Sequence, residues 1–200
     1  MTDTTLLADA ERELGLTLAS HIRDIRQRQK LSLDGLARRS GLSKGTVVAL
    51  EQGKANPSIG ILCRLAAAFS LSVTDLLGDP PTGVSDSPIE RTASKTLWES
   101  AGGSFARLHA STSGRTMFEL WSWRLMPGDV FHSDAHSPDT RELITVVEGR
   151  LQITVGSETL VLAAGESARL VTDQAHSYAA AGDQPAVFNM SVLERGAALG

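Results

Sequence analysis

Imidazole and carboxylate side chains gather in one short stretch, HSPDTRELITVVEG (136–149), where Glu142 follows His136 by six residues and Gly149 follows Glu142 by seven. Such groups can ligate a metal or hydrogen-bond an organic molecule. Nucleophilic chemistry has less to work with. No Gly-x-Ser-x-Gly elbow precedes a helix, and no Gly-rich phosphate cradle of the P-loop type is present. The single cysteine, Cys63, falls on the apolar face of ILCRLAAAF, where a thiol packs as a core group, and one cysteine cannot form an internal disulfide. The other concentration of chemistry is charge. The chain carries a net charge of −4, yet residues 21–64 hold nine Lys or Arg against Asp24, Asp34 and Glu51. Phosphate attraction acts over about a Debye length, so this local surplus of six points to a nucleic-acid partner despite the acidic total.

The elements that must position these groups fall into two kinds. With 200 residues, 42% apolar and 21% charged, the chain can build two small cores. No apolar run approaches the ~18 residues of a membrane span, and the start, MTDTTLLADAERELG, lacks a basic segment followed by an apolar one, so a cytoplasmic location is expected. Residues 1–77 read as helical, with apolar residues three and four apart: Leu18, Ile22, Ile25; Leu33, Leu36, Ala37; Val47, Leu50; Ile61, Leu62, Leu65, Phe69. GDPPTGVSDSP, 78–88, reads as a linker. From 89 to 200 the pattern becomes alternation broken by glycine turns (MFELWSWRL, ELITVVEG, RLQITVG), which predicts a β-sandwich or barrel with Trp121 and Trp123 on one sheet face.

Within the helical part, Ser32 can cap a helix from Leu33 to about Ser40, and Gly41 supplies a turn that needs positive φ. Ser43 then caps a second helix ended by Gly53, so residues 33–52 have helix-turn-helix spacing. Over residues 22–77, IRQRQKLSLDGLARRSGLSKGTVVALEQGKANPS followed by ILCRLAAAFSLSVTDLL resembles the Xre/Cro-repressor family. The resemblance implies that the second helix enters the major groove of operator DNA. By position, Ser43, Lys44, Gly45, Thr46 and Val48 would face bases or the nearest phosphates, while Arg38, Arg39, Lys54 and Asn56 would make backbone contacts. Gly45, Val48 and Ala49 leave few polar groups for reading bases, so specificity is expected to lean on thymine methyls, Lys44 and DNA shape.

The later half, PGDVFHSDAHSPDTRELITVVEGRLQITV with LAAGESARLVTDQAHSYAAAGDQPAVF, resembles the cupin jelly-roll barrel. The overall class expected is therefore a multi-domain α + β chain: an all-α helix-turn-helix domain followed by a cupin barrel. The resemblance implies ligand positions at His136, Glu142 and His176, with Pro138 standing where a second histidine would be. Two imidazoles and a carboxylate can hold iron, zinc or manganese. The same inward groups can instead hold an organic molecule with no metal, the reading preferred for this degraded motif. By strand parity His132 is expected on the face of His136, and with Tyr178 and Trp123 it completes the candidate effector pocket. Together the two resemblances imply a dimeric regulator that binds operator DNA and senses a small molecule. The alternative they leave open is a mononuclear non-haem iron oxygenase or epoxidase with an accessory helical domain.

Overall fold

The computed structural model describes residues 3–55, 57–78, 88–114 and 116–195, with side chains from Gly15 onward. Five helices come first: α1 (Asp3–Arg28), α2 (Leu33–Ser40), α3 (Lys44–Glu51), α4 (Ile59–Phe69) and α5 (Val73–Leu76). The caps sit where the sequence puts them. Ser32 Oγ accepts from Gly35 N, Ser43 Oγ accepts from Thr46 N, and Gly41 adopts φ 65° at the turn. A side chain at Gly41 would also press on the Arg64 guanidinium, which donates to the Ser40 and Gly41 carbonyls and so ties α4 to the turn. One polar contact braces the bundle from inside. Glu51, at the end of α3, is buried and accepts from Arg26 Nε at 2.5 Å and Arg26 Nη2 at 2.8 Å, a two-pronged pair that locks α3 against α1.

Ten strands follow: β1 (Lys95–Glu99), β2 (Phe105–Ser111), β3 (Thr116–Leu125), β4 (Val130–Ser133), β5 (Arg141–Glu148), β6 (Arg150–Val155), β7 (Glu158–Ala163), β8 (Ser167–Val171), β9 (His176–Ala180) and β10 (Ala186–Arg195). They form a six-stranded sheet ordered β1-β2-β3-β10-β5-β8 and a four-stranded sheet ordered β4-β9-β6-β7, with every pairing antiparallel. Two sheets sharing an apolar interior are the jelly-roll arrangement expected of a cupin barrel. Strict alternation on β3 buries Met117, Glu119, Trp121, Trp123 and Leu125 while Thr116, Phe118, Leu120 and Arg124 stay exposed. Trp123 stacks on Phe188 of β10 at 5.8 Å and meets Phe131 edge-on, making an aromatic centre between the sheets. Gly149, between β5 and β6, has φ 72°, and any Cβ there would collide with the Pro185 carbonyl.

The helical part is seated on the barrel. α4 buries nine of its eleven residues, leaving Ile61 and Arg64 half-buried, and a helix apolar around most of its circumference must be covered on more than one side. Leu62 and Leu65 join the same continuous cluster of buried side chains as Trp121 and Phe188. Hydrogen bonds seal the edge: Ser72 N donates to Ser113 Oγ at 3.0 Å, Gly114 N to Ser70 O at 3.1 Å, and Thr74 Oγ1 pairs with Ser111 Oγ at 2.9 Å. Of the stretch read as a linker, residues 79–87 lie outside those described, and the first strand begins at Lys95.

Removing one partner of a buried ion pair strands the other charge. Glu51→Ala, which leaves Arg26 unpaired, is therefore expected to destabilise the chain by about 3 kcal/mol in urea unfolding. A change below about 1 kcal/mol would show that the pair behaves as an exposed one.

Candidate functional site

The barrel interior contains a polar group built by three neighbouring strands. Val192 of β10 pairs with Glu119 on β3 and with Glu142 on β5, so the two glutamates flank it on the inward face, and Glu194 lies two residues further along the same face. His176 opens β9, and Tyr178 follows at the next inward position. His136 comes from the loop after β4, anchored by its own N–H to Thr172 O at 2.9 Å.

Glu142 is the hub. It is 1% exposed. Its Oε1 lies 3.4 Å from His136 Nε2 and 3.7 Å from His176 Nε2, and its other oxygen accepts from the Tyr178 hydroxyl. Burial alone would push the carboxyl up, but the two imidazoles and the Tyr178 hydroxyl outweigh it and hold Glu142 below its ordinary value. Burial also opposes charge on His136, yet Glu142, with Glu194 and Glu119 behind it, raises that imidazole overall. His176 goes the other way: burial prevails and keeps it neutral to lower pH. Tyr178 is pushed far up by burial and by Glu142, so its hydroxyl remains a donor.

The geometry can accept a metal at one point. One ligand atom each from His136, Glu142 and His176 lie within 4.8 Å of one another, and among the described residues this is the one compact group of that kind. Bonds of roughly 2.0–2.2 Å put neighbouring ligand atoms a little over 3 Å apart, close to the two spacings observed. His176 is also oriented for it, since its Nδ1 bonds the Gln174 carbonyl at 2.9 Å and its Nε2 points inward. His136 lacks that second support: its Nδ1 is buried without a partner. One of the two imidazoles is thus oriented for a metal, and Glu142 favours the protonated form of the other, His136, against which a metal would compete.

The other expected pocket residues divide. Trp123 is buried at the aromatic centre with its indole N–H unpartnered. His132 stands apart, exposed on β4. The parity argument does not carry to His136, because β4 ends at Ser133 and the intervening chain is a loop. His132 instead lines a surface cleft of about 450 Å³ together with Ser58 of the helical part, Asp134, Thr154 and His176, a volume in the range of small-molecule sites. Pro138 is exposed on a turn.

Glu119 and Glu194 were not singled out by sequence. A glutamate in the apolar phase of an alternating strand was the available signal: Glu119 shares parity with Met117, Trp121 and Trp123, and Glu194 shares it with Phe188, Met190 and Val192. Burial raises both carboxyls, Glu119 to about 7, although the Trp121 indole donates to Glu119 at 3.0 Å and the Val73 N–H of α5 also opposes the shift.

The second candidate surface is the start of α3. Ser43, Lys44 and Gly45 are exposed, and Thr46, Val48 and Ala49 are half-buried. Lys44 Nζ meets Asp34 at 3.0 Å, with both side chains more than half exposed, so water screens the pair and Lys44 can exchange partners. The Ser43 and Thr46 hydroxyls bond each other at 2.8 Å while Ser43 caps the helix. Arg38 and Lys54 are exposed, Arg39 is half-buried, and Asn56 lies outside the described residues.

Comparison with known proteins agrees with both halves. Residues 22–76 match the helix-turn-helix family model and residues 121–193 match the cupin domain model. The chain belongs to the helix-turn-helix transcriptional regulators that carry a C-terminal cupin domain. It is 26% identical to the HTH-type transcriptional regulator PuuR of Escherichia coli K12, over 82% of this chain and 88% of that one. It is 24% identical to the HTH-type transcriptional regulator SutR of the same organism, over 86% and 92%. The crystal structure of an HTH_3 family transcriptional regulator from Vibrio cholerae shares the fold, with TM-score 0.68 and 23% identity over 92% of this chain and 98% of that one.

Glu119 yields a pH prediction with a definite sign. Its folded value of about 7 lies above its ordinary 4.5, so between those values the folded chain holds a proton that the unfolded chain has released. Stability from this group is full below pH 4.5 and falls as pH rises to about 7. Glu119→Gln should flatten that fall in urea midpoints measured from pH 4.5 to 7. An unchanged slope would place the proton elsewhere.

Proposed function

We propose that this chain is a sequence-specific DNA-binding transcriptional regulator whose barrel senses a small molecule, and that it is not an enzyme. The observation that carries the reading is the α2–Gly41–α3 unit: two capped helices, a left-handed turn glycine, and an exposed basic α3 start backed by Arg38 and Lys54. Ser43, Lys44, Gly45, Thr46 and Val48 would enter the major groove, and the arginines with Lys54 would grip phosphates.

The active species in this reading is a dimer. Phe118 and Leu120 on β3 and Leu143 on β5 are about half exposed on the outer face of the large sheet, where Ser191 of β10 bridges Leu120 and Leu143. An exposed apolar patch of this kind is a usual interaction surface. Two-fold symmetry then calls for half-sites about 34 Å apart.

Selection from random duplexes should return an inverted repeat with that spacing. Affinity for it should fall steeply with salt, and Lys54→Ala should weaken binding to all sequences alike while reducing the salt slope by about one. Binding that is neither sequence-selective nor salt-dependent would contradict the reading.

One observation favours a second reading, a divalent metal centre at His136, Glu142 and His176. It would make the barrel a metal-dependent sensor or, with open coordination positions, an oxygenase. Elemental analysis of untagged protein purified without chelators separates the cases. A real centre shows near-stoichiometric metal that His136→Ala and His176→Ala abolish, with uptake weakening as acid keeps His136 protonated. Trace metal would remove this reading.

A further inference from the structure

The helix-turn-helix, residues 33–52, carries two acids, Asp34 and Glu51. Glu51 is buried and held by Arg26, so it is hidden from DNA. Asp34 is exposed on the first turn of α2, where an anion repels the phosphates of every sequence alike. Its Oδ2 accepts from Lys44 Nζ at 3.0 Å, across the corner between the two helices. α3 has no acid in its own first turn and begins with that lysine, a cation at the positive end of a helix. Asp34 therefore supplies from α2 the anion that the start of α3 lacks.

The rest of α3 makes that contact consequential. Gly45 has no side chain, Val48 and Ala49 are apolar, and the Thr46 hydroxyl is paired with Ser43. Lys44 is the one long polar side chain that α3 presents to solvent. A lysine is a compact charge on a flexible stem, and nothing in its own helix favours a base edge over a phosphate.

We propose that Asp34 is a specificity-determining residue, which holds the Lys44 ammonium for base acceptors in the major groove and withholds it from phosphates. The inference rests on the regulator reading above. In the free chain water screens the pair, since both side chains are more than half exposed. In the groove that water is displaced, and the same contact strengthens. An ammonium has three donors. One stays on Asp34, and two remain for paired acceptors such as O6 and N7 of guanine. The carboxylate also repels phosphates that approach Lys44, so the cation gains little from DNA that offers no base acceptor there. Asp34 thus lowers affinity for random DNA more than affinity for the operator.

The test uses the full chain and two labelled duplexes of equal length at one salt concentration. One is the operator that the unchanged chain selects from random sequence, and the other is a random duplex. Asp34→Asn keeps the shape and removes the charge. It should tighten binding to the random duplex more than to the operator, so that the operator-to-random ratio falls by about tenfold. Selection repeated with Asp34→Asn should lose its preference at one base pair in each half-site and keep the others. In a Lys44→Ala background the same substitution should move the ratio by less than about twofold, because no cation remains to be directed. Tm should stay close to that of the unchanged chain, which separates an altered reading surface from an altered fold. Equal tightening on both duplexes with an unchanged consensus overturns the proposal and leaves the regulator reading standing. A ratio that falls as far without Lys44 overturns it too. If the unchanged chain selects no sequence at all, the regulator reading falls and takes the proposal with it.

Discussion

The structure depends on α4 being apolar on both sides. IGILCRLAAAF cannot expose a stripe to water without exposing large aliphatic groups, so the bundle closes over one side and the barrel mouth over the other. That single constraint sets the position of α2 and α3 relative to the barrel. Arg64, the one charged residue of α4, reaches back to the Ser40 and Gly41 carbonyls at the helix-turn-helix corner. Leu62, Cys63 and the alanines meet the opposite surroundings. One helix therefore contacts both the reading unit and the roof of the polar interior.

This arrangement gives the barrel a physical route to the helix-turn-helix through the packing of α4. Below α4 lie three carboxylates and two imidazoles whose charges respond to one another: the glutamates raise His136 against its burial, whereas burial outweighs Glu142 and lowers His176. Any occupant that alters that balance acts directly on groups facing α4 and the start of α5. Small shifts matter here because packed cores adopt discrete arrangements and do not deform smoothly.

Much of the fold was legible in the sequence because local rules decide it. Ser32, Gly41 and Ser43 act within a few residues of themselves, and their cap and turn roles need no distant partner. The alternation of MFELWSWRL put both tryptophans on one sheet face, and the structure makes that face the inner one. The site was legible only in part. Glu142 and His176 lie on strands, where position in the pattern fixes the face, whereas His136 sits in a loop whose path no periodicity describes. His132 shows the same limit from the other side: parity holds only while the strand continues, and β4 stops one residue later. Glu119, Glu194 and Glu51 were passed over because glutamate is ordinarily a surface residue. Their phase within apolar patterns carried the contrary signal. The seating of α4 on the barrel depends on long-range packing, which no short motif encodes.

The most direct test is whether the helical part and the barrel unfold as one unit. Trp98, Trp121 and Trp123, the chain's only tryptophans, lie in the barrel, while every described α-helix belongs to the N-terminal part. Tryptophan fluorescence and far-ultraviolet ellipticity at 222 nm therefore report on different halves of one urea titration. A shared core through α4 predicts coincident transitions with the same midpoint and slope. Two separated transitions would show that α4 does not join the halves, and would contradict the account.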